Sequence, residues 1–290
     1  MLLQRVITAS ILAPLVVLAI FQLPHVYFSL LWAVILLMAA WEWANLADVK
    51  SVLVKVLFLL AMIVPMLLLH FWTQLLEALA QVSNWPEIRN YSGLIELLMI
   101  PIVLFWVWVM FRIRKGGSEL LEIKLSVFKK LLMGGFVLVS AWLFLSRLIV
   151  LEEPAMTLYL FLLVWGADIG AYFAGKKFGM TKLAIEISPG KTVEGMYGAV
   201  AAAIVIGLCF TLYFNFSFLS IIDFVLLSVI TVMVSIYGDL FFSAAKRIRG
   251  VKDSGTILPG HGGLLDRLDS MIAAIPIFYA GVWFIRWMYS

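Results

Sequence analysis

Apolar residues run through this chain in blocks of about 20, the length that crosses a bilayer as an α-helix. Nine blocks can be placed, near residues 6–23, 27–46, 52–71, 94–113, 129–150, 155–175, 195–214, 219–242 and 270–289. None alternates with the two-residue period of a barrel strand. In lipid, each backbone polar group has to be satisfied within the spanning segment, so helices are the remaining solution. The pattern predicts an all-α, polytopic integral membrane protein with about nine transmembrane helices. Arg5 ahead of the first block suggests a signal peptide, but the run continues to Phe21 with no small-residue cleavage site before Pro24, so it reads as a span. Spans one and two, separated by Pro24 and His25 alone, predict an antiparallel hairpin.

Composition sharpens the class. Apolar residues make up 64% and charged residues 13%, with a mean hydropathy of +1.08; a soluble domain carries about twice that share of charge. The single cysteine, Cys209, falls inside the seventh block and reads as packing, which excludes a disulfide and a thiolate zinc site.

Charge sets the orientation. With the N-terminus inside, 18 of the 21 Lys and Arg residues lie on the cytoplasmic side, leaving Arg89, Arg147 and Arg286 outside. This bias predicts N-in, C-out topology, with polar chemistry facing the cytoplasm. The chain divides into residues 1–150, an N-terminal bundle of spans one to five, and residues 151–290, spans six to nine with cytoplasmic loops 176–194 and 243–269.

The first half carries three polar anomalies. Glu42, between Trp41 and Trp43 near the inner end of span two, reads first as a snorkelling interfacial acid and second as a lining of a polar cavity. In the outer connection, Leu75, Leu76, Leu79 and Val82 share one helical face, which predicts a surface helix within 73–93. The connection from Arg112 to Lys130 is basic, as positive-inside topology or attraction to anionic headgroups requires.

The second half holds the candidate chemistry. Asp168 lies inside span six, in VWGADIGAYFAGKK, where a carboxylate is costly unless it faces protein, water or a cation. Gly166, Gly170 and Ala174 form a small-residue face for close helix packing, which explains the glycines and leaves the acid to a functional role or a bond to a neighbouring helix. Next comes ISPGKTVEG. A P-loop is rejected, since the required glycine is Ile185 and no strand is predicted ahead of it. Ser188, Lys191 and Thr192 remain as anion-binding candidates at a helix start.

The densest polar stretch is Ser235–Ser270, SIYGDLFFSAAKRIRGVKDSGTILPGHGGLLDRLDS, in which acids and bases interleave with glycines. The order Ser243, Lys246-Arg247, Lys252-Asp253, Pro259, His261-Gly262-Gly263, Asp266-Arg267 and Asp269 resembles the hallmark of the phosphatidate cytidylyltransferases, and ADIGAYFAGKKFG and SPGKTVEG are similar to segments of that family. The resemblance covers roughly residues 160–275. It implies that CTP and phosphatidate give CDP-diacylglycerol and pyrophosphate in phospholipid biosynthesis, and it alone carries the choice of cytosine. It maps the family's metal-binding aspartates onto Asp239 and Asp266.

The residues supply chemistry suited to that reaction. Joining two phosphates needs in-line positioning and neutralised repulsion rather than a protein nucleophile. Carboxylates without a thiolate select Mg²⁺, or Mn²⁺, over zinc. Asp269 joins the metal candidates because it follows Asp266 at i+3 on the first turn of span nine, and a second cation fits a site of this charge. Asp239, Asp266, Lys252 and His261 are the catalytic candidates; His261 donates to phosphate or shuttles a proton, with a satisfied turn residue as the alternative. Ser188, Lys191, Thr192, Ser243, Lys246, Arg247, Arg267 and Asp168 are the substrate-binding candidates. Phe242, where the family commonly has glutamate, and Ala245, where a larger apolar residue is usual, depart from the pattern.

The expected partners are CTP, phosphatidate and membrane lipid, with no nucleic acid; a homodimer is left open. The expected location is a bacterial inner membrane. Two rivals have different signatures. CDP-alcohol phosphotransferases need an Asp-Gly pair, and none occurs here. An ion-coupled transporter would use Asp168 and Asp239 and show paired inverted repeats, which are not visible.

Overall fold

Serine, threonine and proline set most of the helix starts. The computed structural model describes residues 2–115, 121, 125–257 and 262–289, with backbone only for residues 2–9 and Lys115. Helix α1 (Leu2–Gln22) turns at Pro24 into α2 (His25–Leu46). Ser51 opens α3 (Val52–His70) by accepting the Val54 amide at 3.4 Å, a cap that satisfies an N–H with no intrahelical partner. A short helix α4 (Trp72–Ser83) and a 3₁₀ segment (Pro86–Leu98) lead into α5 (Met99–Lys115). Ser126 caps α6 (Val127–Leu151), and Pro154 occupies the first turn of α7 (Pro154–Phe178), where its missing N–H costs nothing. An antiparallel hairpin, β1 (Lys182–Ala184) with β2 (Ser188–Thr192), precedes α8 (Val193–Tyr213), followed by α9 (Phe218–Arg249) and α10 (Leu265–Tyr289).

Among the described residues, eight helical stretches are long and apolar enough to cross a membrane, the 3₁₀ segment and α5 acting as one; Ser10–Gln22 adds a shorter apolar helix. Three local expectations change. A strand does precede Gly190-Lys191-Thr192, and those residues lie in the extended β2 instead of a phosphate-wrapping turn. Helix α9 runs on to Arg249 and ends at Gly250, in left-handed conformation at φ +74°, so Ser243, Lys246 and Arg247 are held on a helix and not on a loop. Cys209 is exposed on α8 instead of packed.

A helix does form in the outer connection, as α4, with Leu76 buried and Leu75, Leu79 and Val82 exposed. The small-residue face of α7 packs on α8: a Cβ at Gly170 would lie 2.7 Å from the Gly198 carbonyl oxygen and 2.9 Å from Ala202 Cβ. Gly238 brings α9 equally close to α10, against Ala273 and the Asp269 carbonyl. Those two contacts fix where Asp168, Asp239 and Asp269 stand. The N-terminal half is tied to α10 by a buried clasp, in which Arg147 of α6 and the Tyr279 hydroxyl both donate to Glu96. Such a pair holds its partners in register because breaking it leaves a charge buried alone.

Candidate active site

Residues spaced i, i+4 and i+7 share one helix face, and on α9 that face is Asp239, Ser243 and Lys246. It forms the floor of a cavity of about 790 Å³. Polar walls come from Asp168 of α7, from Arg247, Lys252 and Asp253 at the end of α9 and beyond it, and from Asp266, Arg267 and Asp269 of α10. Apolar lining comes from Leu12 and Val16 of α1, Phe28 and Trp32 of α2, and Phe161 of α7. One volume therefore offers both charge and hydrocarbon.

Within this cavity the acids have different surroundings. Asp239 Oδ2 lies 2.5 Å from Lys191 Nζ, and its Oδ1 accepts from the Ser243 hydroxyl at 3.1 Å. Asp239 is also near enough to Asp168 and Asp269 for their negative charges to repel. Asp266 is engaged on both oxygens: Oδ1 accepts from Lys246 Nζ at 2.7 Å, and Oδ2 from the Ser254 and Gly263 amides at 2.8 and 3.0 Å. That triple contact holds the loop after α9 against the first turn of α10, with Gly262 taking the positive φ of +83° that the bend needs.

The basic residues also differ in their attachments. Lys191 of β2 does not itself line the cavity and is connected to it by its pair with Asp239, which does. Arg247 anchors the hairpin by donating from Nε to the Ile187 carbonyl at 3.1 Å, while its Nη1 donates to the Val251 carbonyl. Lys252 and Arg267 are exposed in the cavity wall. Among the described residues, Ser188 and Thr192 do not line the cavity: Ser188 pairs with Ala184 in the hairpin, and the Thr192 hydroxyl caps α8 by accepting the Gly195 amide at 3.1 Å. The acid at the same helix start, Glu194, accepts from the Met180 and Thr181 amides. His261 and Pro259 lie outside the described residues.

One residue escapes sequence reasoning and another is misread by it. Asp253 lines the cavity; its only signal was its place beside Lys252 in the motif. Glu42 is not a snorkelling interfacial acid. It is 1% exposed, and the amides at the start of α10 and the Ser254 hydroxyl surround it. A carboxylate offered that many donors stays inside instead of reaching for water.

Among the described residues no three His, Cys, Asp or Glu side chains are already grouped as a metal shell. The donor chemistry nevertheless fits a hard cation. Asp168, Asp239 and Asp269 present carboxylate oxygens to one cavity, their charges repel, and Asp239 already holds the ammonium of Lys191. Oxygen donors of this kind suit Mg²⁺ or Mn²⁺.

The fold and cavity define a polytopic membrane protein with a cavity lined by charged and apolar side chains. Comparison with known proteins gives the family. The cytidylyltransferase family model matches residues 3–285. The chain is 37% identical over 292 aligned positions to a phosphatidate cytidylyltransferase of Pseudomonas aeruginosa, covering 99% of each chain. It is 34% identical over 289 positions to one of Haemophilus influenzae, covering 96% of this chain and 97% of that one. It is also 46% identical over 124 positions to one of Bacillus subtilis, covering 42% of this chain and 45% of that one. The chain belongs to the cytidylyltransferase family.

Proposed function

We propose that this nucleotidyltransferase joins CTP to phosphatidate, giving CDP-diacylglycerol and pyrophosphate for phospholipid synthesis. One observation carries the reading: a single cavity of about 790 Å³ is lined both by carboxylates and cations and by aliphatic and aromatic side chains. A nucleoside triphosphate needs the charged lining and a lipid phosphate needs both kinds. The full-length relatives carry the activity in their names.

A lipid phosphate oxygen attacks the α-phosphorus of CTP; the new P–O bond forms as the bond from that phosphorus to the β-bridging oxygen breaks, and pyrophosphate leaves with the electron pair. No protein nucleophile enters the balance, so positioning and charge compensation account for the catalysis. Arg247 and Arg267 offer planar forks to phosphate oxygens, and Lys252 offers a mobile charge. Lys191 and Lys246 are held at the cavity by Asp239 and Asp266, and each ammonium has donors left over for phosphate. Asp239 with Asp269 and Asp168 would hold Mg²⁺, while Asp266, engaged on both oxygens, keeps Lys246 and the loop in place. A bound divalent cation supplies charge neutralisation between the two phosphates and polarises the α-phosphoryl group.

The apolar lining from α1, α2 and α7 takes the acyl chains, so the lipid enters sideways from the leaflet beside the charged loops. The cation bias of the connections sets that leaflet as the cytoplasmic one, at the inner membrane of a bacterium. Purified protein in lipid and detergent micelles, given labelled CTP, phosphatidate and Mg²⁺, is expected to move label into the organic phase with release of one pyrophosphate. Folded protein that transfers no label would overturn the reading.

A further inference from the structure

The chemistry above makes no use of the most deeply buried acid near the cavity. Glu42 sits in α2 and is not part of the cavity lining among the described residues. Its Oε1 accepts from the Leu264 amide at 2.9 Å, and its Oε2 accepts from the Leu265 amide at 2.8 Å and the Ser254 hydroxyl at 2.7 Å. Leu265 is the first residue of α10. The opening amides of a helix have no partners inside it, and the helix dipole favours a negative charge there. A local Ser, Asp or Asn usually fills that role. Here the carboxylate comes from a helix 222 residues earlier in the chain.

The glycines of the loop fit the same arrangement. A Cβ added at Gly255 would fall on the Glu42 carboxylate, and one at Gly263 would fall on both the Ser254 hydroxyl and Glu42 Oε2. Two glycines in the motif are thus accounted for by the approach of a protein carboxylate rather than by a ligand. Asp266 holds the same two points, through the amides of Ser254 and Gly263. Glu42 and Asp266 therefore both bind Ser254 and the residues just before α10, and Asp266 in turn holds Lys246.

We propose that Glu42 is a positioning residue of the reaction: an N-cap supplied from α2 that fixes the first turn of α10, so that Asp266 keeps Lys246 and Asp269 keeps facing Asp239. The proposal rests on the phosphate-transfer reading for its kinetic consequence, while the capping itself can be measured without turnover. Outer-shell partners of this kind are typically worth about 10- to 100-fold in activity or metal affinity.

The experiment compares wild type, Glu42→Gln and Ser254→Ala as full-length purified chains. Glutamine keeps the size of the side chain and one acceptor oxygen, but turns an NH₂ donor toward donors. Hydrogen exchange of peptides carrying Ser254 and Leu264–Leu265 is expected to speed up about tenfold in Glu42→Gln, with α8 peptides unchanged, and less in Ser254→Ala. The kcat per folded molecule should fall by at least about tenfold in Glu42→Gln, and the Mg²⁺ concentration for half-maximal rate should rise. A purely structural acid would instead lower Tm and loosen exchange throughout the protein, with kcat per folded molecule unchanged; that result overturns the proposal. Unchanged exchange at Leu264–Leu265 also overturns it. Wild-type protein that transfers no label would sink the proposed function alone, because the exchange data still decide whether Glu42 caps α10.

Discussion

Lys191 of β2 places its ammonium 2.5 Å from Asp239 Oδ2 on α9, so the hairpin and α9 are joined by an ion pair beside the cavity. The same ammonium also reaches the Ile236 carbonyl at 3.5 Å, which fixes its direction. Replacing Lys191 by methionine keeps the aliphatic stem and removes the charge. The expected result is a loss of about a hundredfold in kcat/KM for CTP, the usual effect of deleting one preorganised donor to a developing charge. Lys191→Arg should recover part of it. Steady-state kinetics at varied CTP measures both, and near-normal kcat/KM in Lys191→Met would remove the residue from the site.

Asp266 and Asp269 should separate in stability as well as in rate. Asp266 accepts three hydrogen bonds and pairs with Lys246, and both side chains are about nine-tenths covered. Asp266→Asn breaks an enclosed pair and is expected to cost about 3 kcal/mol of stability along with activity. Asp269 is buried beside a like charge, Asp239, and its bond from the Ser270 amide can be kept by asparagine. Asp269→Asn should therefore abolish most activity without lowering Tm. Thermal melts in detergent paired with label-transfer rates test this, and a large drop in Tm for Asp269→Asn would contradict it.

The spans were legible because a bilayer demands uninterrupted apolar length, and that demand is written residue by residue. The helix ends were less legible. Lys246 and Arg247 look like loop residues by hydropathy, yet α9 carries them to Gly250, because a helix leaving the membrane loses nothing by continuing where its next residues pack on a hairpin and a loop. The charged motif singled out Asp239, Lys246 and Asp266, which the fold brings to one cavity. Glu42 was hidden by its neighbours: flanking tryptophans signal an interface, whereas here Trp43 stacks on Phe241 inside the protein and its indole donates to the Lys130 carbonyl at 2.9 Å. Only the tertiary contact with a loop more than two hundred residues away shows what the acid is for.

Chelation tests the donor set as a whole. If Asp168, Asp239 and Asp269 hold a hard cation, EDTA should abolish turnover, and Mg²⁺ or Mn²⁺ should restore it, while Zn²⁺ restores less because no thiolate or described histidine lines the cavity. Full activity in excess chelator would mean that Lys and Arg alone compensate the phosphates.

Close packing of α7 on α8 makes Gly170 sensitive to any side chain. A Cβ there would sit 2.7 Å from the Gly198 carbonyl oxygen, a backbone atom that cannot move aside. Gly170→Val is expected to cost about 2 kcal/mol by overpacking. It should also lower activity, because Asp168 lies half a turn away on the same helix. Gly190→Ala, with nothing within 4 Å of the added carbon, is the control and should be neutral in Tm.

Phe242 stands where the family commonly has glutamate, and its direction decides whether that matters. The side chain is 1% exposed and is not among the residues lining the cavity; it packs edge-on against Trp43, with centroids 5.7 Å apart, and against Phe241 at 5.2 Å. Aromatic contacts of this geometry stabilise the core beyond their buried area. A carboxylate placed there would be desolvated among apolar rings, and the indole N–H of Trp43 already donates to the Lys130 carbonyl. Phe242→Leu should keep turnover within about threefold while losing roughly 1 kcal/mol, as apolar swaps of similar volume do, and Phe242→Ala should lose about 3–5 kcal/mol through the cavity it leaves. Phe242→Glu should unfold the bundle rather than improve the reaction. If Phe242→Glu instead folds and accelerates label transfer, the position faces the substrates and the aromatic packing seen here is not the arrangement that turns over.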